Sequence, residues 1–172
     1  MNPNRKCFLF ASRTLVSALV ASAALAGCAA HPDFLRVGMT RDELDARFGK
    51  PSAERIEGDD DVRIYTSQPL GQRASAAHVA ADGRVTAVEP LLNTEHFATI
   101  RVGTWGKRDI FDHFGKPGYV SHTLRYEVWT YRYREGEAWN SLFNIMFDAE
   151  GTVRQTQNEP DPMFDPSAIK RG

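Results

Sequence analysis

LRVGMTRDELDARFGKP, from Leu35 to Pro51, returns as IRVGTWGKRDIFDHFGKP, from Ile100 to Pro117. The first copy describes a short helix with both ends marked. Thr40-Arg41-Asp42-Glu43 has the form of a capping box, in which the Thr hydroxyl accepts from the Glu43 amide and the Glu side chain returns to the Thr amide. Acids in that first turn suit the positive end of the helix dipole. Leu44 and Phe48, four apart, share one face. Gly49 offers a left-handed cap and Pro51 forbids continuation.

The second copy keeps the frame and changes the details. Gly106 caps acceptably, while Lys107 and Arg108 meet the dipole badly. Ile110 and Phe114 replace Leu44 and Phe48, and Gly115-Lys116-Pro117 repeats the stop. One inserted residue falls around Thr104-Trp105, where a loop can absorb it. Asn93 or Thr94 can cap a preceding short helix carrying Phe97 and Ile100.

Strand patterns follow each copy. Tyr126 to Arg134 alternates, with Trp129, Tyr131 and Tyr133 on one face and Val128, Thr130, Arg132 and Arg134 on the other. Ser141 to Asp148 places Phe143, Ile145 and Phe147 opposite Leu142, Asn144 and Met146, and Glu150-Gly151 turns into Thr152 to Thr156. Copy one has weaker versions at Val62 to Thr66, Ala76 to Ala80 and Val85 to Val88. The fold class predicted from this pattern is α+β. Two tandem α-α-β-β-β repeats would place short helices on one face of antiparallel sheet, the other face being wet. Copy two holds more large apolar side chains, at about 1.5–3 kcal/mol each when buried, so it should anchor the fold with copy one packed against it.

The N-terminus has a different grammar. Arg5, Lys6 and Arg13 precede an apolar run from Leu15 to Leu25 that is too short for a bilayer span of roughly 20 residues, as in a secretory signal. It ends in Leu25-Ala26-Gly27-Cys28, which resembles the lipobox of bacterial lipoproteins. That resemblance implies cleavage between Gly27 and Cys28, a diacylglycerol thioether on Cys28 and acylation of the new amino group by a fatty acid such as palmitate. Ala29, rather than Asp, implies delivery to the outer membrane. The expected organisation is a signal peptide (1–27), a lipidated tether (28–33), repeat one (34–92), repeat two (93–157) and a disordered Pro-rich tail (158–172). Loss of residues 1–27 removes three basic residues and no acidic one, leaving 18 Lys and Arg against 22 Asp and Glu. A mildly acidic chain with no basic stripe argues against nucleic acid.

Gly-Met-Thr-Arg-Asp-Glu-Leu at 38–44, Phe-Gly-Lys-Pro at 48–51, Trp129-Thr130-Tyr131-Arg132-Tyr133 and the Phe147 to Val153 hairpin resemble the SmpA/OmlA (BamE-like) family of outer-membrane lipoproteins. The resemblance runs once per repeat over most of 34–156. The doubled layout is also similar to the tandem-repeat β-lactamase inhibitor proteins. What the resemblance implies is a non-enzymatic, lipid-anchored protein on the periplasmic side of the outer membrane. It would support outer-membrane protein assembly or envelope integrity through contacts with envelope proteins, such as the β-barrel assembly machine. The alternative is a periplasmic inhibitor or binding module that captures an enzyme or envelope component.

No catalytic residue and no small-molecule substrate is expected. The histidines are scattered, without His-Glu-x-x-His or Cys-x-x-Cys spacing. Asp109, Asp112 and His113 form the most metal-like trio, better explained as a surface ion pair. Asp59-Asp60-Asp61 lacks the alternating ligands of a calcium loop. The expected cofactor set is therefore empty apart from the lipid on Cys28. The expected interaction surface is Tyr126, Val128, Arg132, Arg134 and Met146 on the wet face, with Trp139 on the adjoining loop. Aromatic, apolar and Arg side chains of this kind are enriched at protein interfaces.

Overall fold

The computed structural model of the protein describes residues 31–136 and 138–164. A 3-10 turn (Pro32–Phe34) leads into helix α1 (Arg41–Phe48), then strands β1 (Ala53–Glu57), β2 (Asp60–Thr66), β3 (Ala74–Val79) and β4 (Val85–Pro90). Helices α2 (Thr94–Phe97) and α3 (Lys107–Phe114) follow, then β5 (Tyr119–His122), β6 (Glu127–Glu135), β7 (Trp139–Phe147) and β8 (Val153–Pro160). Strands β1 to β4 form one antiparallel sheet in sequence order, and β5 to β8 form a second.

The expected α-α-β-β-β architecture is overturned: the described residues are mostly β, in two four-stranded sheets with three short helices. Two physical reasons account for the error. The first helix expected of each repeat shrinks to a 3-10 turn in one unit and to four residues in the other. The segments after Pro51 and Pro117 extend into strands, because Ser52 N donates to Ile64 O (2.7 Å) and Gly118 N to Thr130 O (2.9 Å). Pairing thus begins as soon as the prolines have stopped the helices. The expected disordered tail is also corrected for 158–164: β8 runs to Pro160, and Asp161 is buried.

The duplication is carried by the backbone itself. Gly38 N and Gly103 N donate to Val85 O and Val153 O, while Val85 N and Val153 N donate to Met39 O and Trp105 O. Trp105 therefore occupies the place of Met39, and the inserted residue is absorbed in the turn at Arg101, whose carbonyl accepts from both Thr104 and Trp105. Both halves of the Thr40 capping box form, and Gly106 keeps one half, its amide donating to Asp109 Oδ2. Both sheets shift register at the same place, between His78 and Val79 and between Met146 and Phe147. Gly49 and Gly115 end α1 and α3 at φ 70° and 73°, with ψ near −150° to −160°. That region is essentially closed to other residues.

The units stack in four layers. One face of the first sheet packs Tyr65, Ala77, Val79 and Val85 against Leu44 of α1 and against Leu35 and Met39. Its other face joins Val62, Ile64, Ala74 and Ala76 to Phe97, Ile110 and Phe114 of α2 and α3. The same cluster continues into Tyr131, Tyr133, Ile145 and Phe147 of the second sheet. Gly115 lies between the sheets: Tyr131 Oη donates to its carbonyl (2.8 Å), and a Cβ there would stand 3.0 Å from Ile64 Cγ2. The first sheet thus carries helices on both faces, which its run of small alanines permits.

Candidate protein-interaction surface

Among the described residues, helices cover both faces of the first sheet and the inner face of the second, and none packs on the outer face of the second sheet. Cross-strand pairing places Val128 beside Met146, Thr130 beside Asn144 and Arg132 beside Leu142 on that face. Gln155, Gln157 and Glu159 of β8 complete it. Along its middle runs a polar ladder: Thr130 Oγ1 donates to Asn144 Oδ1 (2.6 Å), and Asn144 Nδ2 donates to Glu159 Oε1 (2.7 Å).

The sequence-predicted surface residues differ widely in exposure. Tyr126 and Met146 are half-buried and Arg134 is exposed, but Val128 retains only 7% of its accessible area and Arg132 only 3%. Arg132 is a clasp rather than an open contact. Its Nη2 sits 2.8 Å from Asp161 Oδ2, and the ring of Phe164 stacks 5.4 Å from its guanidinium carbon. Gln68 Nε2 donates to its backbone carbonyl at 2.6 Å, tying in the β2–β3 loop. The outer face is therefore closed at one end by the chain itself. Trp139 stands apart, 74% exposed at the rim of a shallow pocket of about 210 Å³ with Glu135, Asn158 and Pro160. Gly27 and Cys28 lie outside the described residues.

Sequence reasoning missed the partners of Arg132. Asp161 stands 29 residues away among prolines, and nothing local marks it as the other half of an ion pair. It also missed the opposite edge of the sheet, where Tyr119, Val120 and Leu124 are exposed large apolar side chains on β5 and its hairpin, Tyr119 on the outer face. Trp129, assigned to the dry face, is only half-buried; its Nε1 donates to Glu127 Oε1 (2.7 Å). Lys107 Nζ is 2.6 Å from the other Glu127 oxygen, and these two hydrogen bonds, Lys107 first, hold the carboxyl below its ordinary range.

The acidic and histidine clusters have local employment. Asp112 pairs with Arg108 (2.6 Å), Asp109 caps Gly106, and His113 Nδ1 faces the Asp109 carbonyl. His78 and His96 approach the two oxygens of Glu89 at 3.5 and 3.0 Å, where the units meet. Among the described residues no group of three or more His, Cys, Asp or Glu side chains is disposed to hold a metal, and no helix is long and apolar enough to cross a membrane. No family model, curated protein or solved structure matches the chain. The likeness to the SmpA/OmlA lipoproteins rests on the quoted motifs.

Proposed function

We propose that this protein is a lipid-anchored, non-enzymatic contact module of the bacterial outer membrane, facing the periplasm and supporting envelope assembly or integrity. The observation that carries the reading is the outer face of the second sheet, bordered by exposed Tyr119 and the hairpin residue Leu124 at one side and by Met163 and Phe164 at the other. Taken as a whole, a non-obligate interface is only about as apolar as ordinary protein surface, so a mixed polar and apolar face is compatible with one. The tether would emerge beside Leu35, which packs on the α1 side of the first sheet. Lipid on Cys28 would hold that side near the headgroups and turn the free face away from the bilayer.

Fractionation and capture test this together. Cys28→Ala should move the protein out of the outer-membrane fraction, and unchanged fractionation removes the anchor from the account. Detergent-solubilised capture should recover envelope assembly proteins, β-barrel assembly subunits among them, and an Arg134→Glu, Trp139→Ala variant should lose them. Recovery of a soluble periplasmic enzyme instead would favour an inhibitor or binding module.

A further inference from the structure

We infer that β5 is a docking edge, which takes an extended, acid-flanked segment of a partner protein as a fifth strand of the second sheet. The inference rests on the reading of the chain as a contact module and names the chemistry of what it contacts. A sheet edge offers unpaired N–H and C=O groups, and natural proteins guard such edges with charges and prolines. Three of the four edges here are guarded. Strand β1 carries Glu54, Arg55 and Glu57; β4 carries Glu89 and ends at Pro90; β8 carries Arg154 and Glu159 and ends at Pro160. Strand β5, Tyr119-Val120-Ser121-His122, has no Lys, Arg, Asp, Glu or Pro, and all four residues are exposed.

The repeat supplies an internal control. Tyr119 pairs with Thr130 as Ala53 pairs with Ile64, so β5 occupies the place of β1. In β1 those positions are engaged: Glu54 bonds Arg63, and Arg55 Nη1 donates to the carbonyl of Asp112 in α3 (2.9 Å). Among the described residues no helix does the same for β5.

The hydrogen-bond phase identifies the atoms on offer. Thr123 N donates to Tyr126 O (2.8 Å), which makes that opposed pair hydrogen-bonded. Bonding alternates along an antiparallel ladder, so Ser121 and Tyr119 also face β6 while Val120 and His122 turn their main-chain groups outward. Two residues provide four main-chain bonding groups, too few for a tight complex, so side chains must complete the site. Tyr119 and Val120 project to opposite faces of the sheet, and Leu124 extends the apolar edge. Lys116 and Arg125, at the two ends, are exposed and have no ion pair among the described residues. Alternating apolar residues with acids at both ends would match this edge.

The test uses purified full-length protein in detergent and a fluorescein-labelled peptide, Asp-Val-Thr-Val-Thr-Asp, read by anisotropy, with deuterium uptake over 119–124 as a second signal. Binding should lower that uptake. Val120→Pro, which removes an outward amide, should weaken binding by about tenfold or more, whereas Val120→Thr stays within about threefold. Lys116→Glu with Arg125→Glu should also weaken it. A twin peptide N-methylated at its four central residues should not bind. The inference is overturned if the wild type does not bind the peptide at millimolar concentration, or if the methylated twin binds equally well. It is overturned too if uptake over 119–124 falls with protein concentration alone, since a second copy would then hold the edge. Should Val120→Pro unfold the chain, the twin peptide and Val120→Thr still decide. None of these readouts depends on the lipid, so failure of the Cys28→Ala experiment leaves them standing.

Discussion

In the first unit Val62, Ile64, Ala74 and Ala76 form the back of the sheet, sealed beneath the second unit's helices. The pairing register places Val128, Thr130, Leu142 and Asn144 at the same positions of the second unit, where no helix among the described residues packs. Ile has given way to Thr and Ala to Asn, and the two new polar side chains bond each other. Asn144 keeps only 7% of its accessible area, and its bonds to Thr130 and Glu159 satisfy it there. One backbone plan thus carries two burial patterns, and what differs is the neighbour. The proposed contact face belongs to the second unit because, among the described residues, no helix packs on it.

The largest test of that difference is the clasp at Arg132. In the first unit the matching position is Thr66, with no charge to shelter. Asp161→Ala would leave the Arg132 guanidinium buried without its carboxylate and should cost about 3–5 kcal/mol, measured as a lowered urea midpoint. Arg132→Met combined with Asp161→Ala should recover most of that loss. A single variant as stable as wild type would mean that the C-terminal segment does not close this face.

Next come the two helix-ending glycines. Gly49 has open space where a Cβ would project, so Gly49→Ala should cost only its backbone strain, about 1–3 kcal/mol. A Cβ on Gly115 would lie 2.7 Å from Ser52 Oγ and 3.0 Å from Ile64 Cγ2, at the junction of the units. Overpacking should add about 1–3 kcal/mol to the same strain. Equal losses would show that the two sheets do not meet across Gly115.

The paired tyrosines give a smaller contrast. Tyr131 Oη donates to the Gly115 carbonyl, while the buried Tyr65 Oη has no hydrogen-bond partner among the described residues. Burial pushes the Tyr65 phenol up to about 12 and raises that of Tyr131 as well. Tyr131→Phe strands a carbonyl and should cost about 1–2 kcal/mol, whereas Tyr65→Phe removes an unsatisfied hydroxyl and should be neutral or stabilising. Chemical denaturation of the two variants decides, and a costly Tyr65→Phe would imply a bond that the geometry lacks.

What was legible in the chain follows from how local each signal is. Helices α1 and α3 have caps, apolar spacing and stops within a dozen residues, and they formed where those marks predicted. Strand β1 escaped notice because Ala-Glu-Arg-Ile-Glu is an edge whose charges guard its surface rather than fill a core. Strand β5 was missed for the opposite reason: between Pro117 and the hairpin it is too short to alternate visibly. The alanines of β3 look like a poor core until α3 is placed against them, and that contact spans more than thirty residues. The outer face was readable from the alternation of β6. Its occupation at Arg132 was not, because Asp161 is brought there only by the complete run of β8.

The smallest contrast lies in the last turn of each unit, and it can be titrated. Asp148 N donates to Thr152 O as Ala80 N does to Arg84 O, so the two turns match in backbone. Only the second has a carboxylate at that position: Thr152 N donates to Asp148 Oδ1 (2.8 Å), and Arg154 Nε bonds the other oxygen. The first turn uses Asp82 Oδ1 for the Arg84 amide instead. The Thr152 amide first, and the Arg154 guanidinium after it, hold the Asp148 carboxyl below its ordinary range. A depressed folded value means that the group stabilises the fold above the unfolded carboxyl range, near pH 4, and loses that contribution as pH falls through the folded value. The Thr152 amide proton should therefore shift with an inflection below the ordinary aspartate range, and Asp148→Asn should abolish it. An inflection at or above the ordinary value would place the stabilisation of this turn in its backbone alone, and the two units would then be alike at this corner.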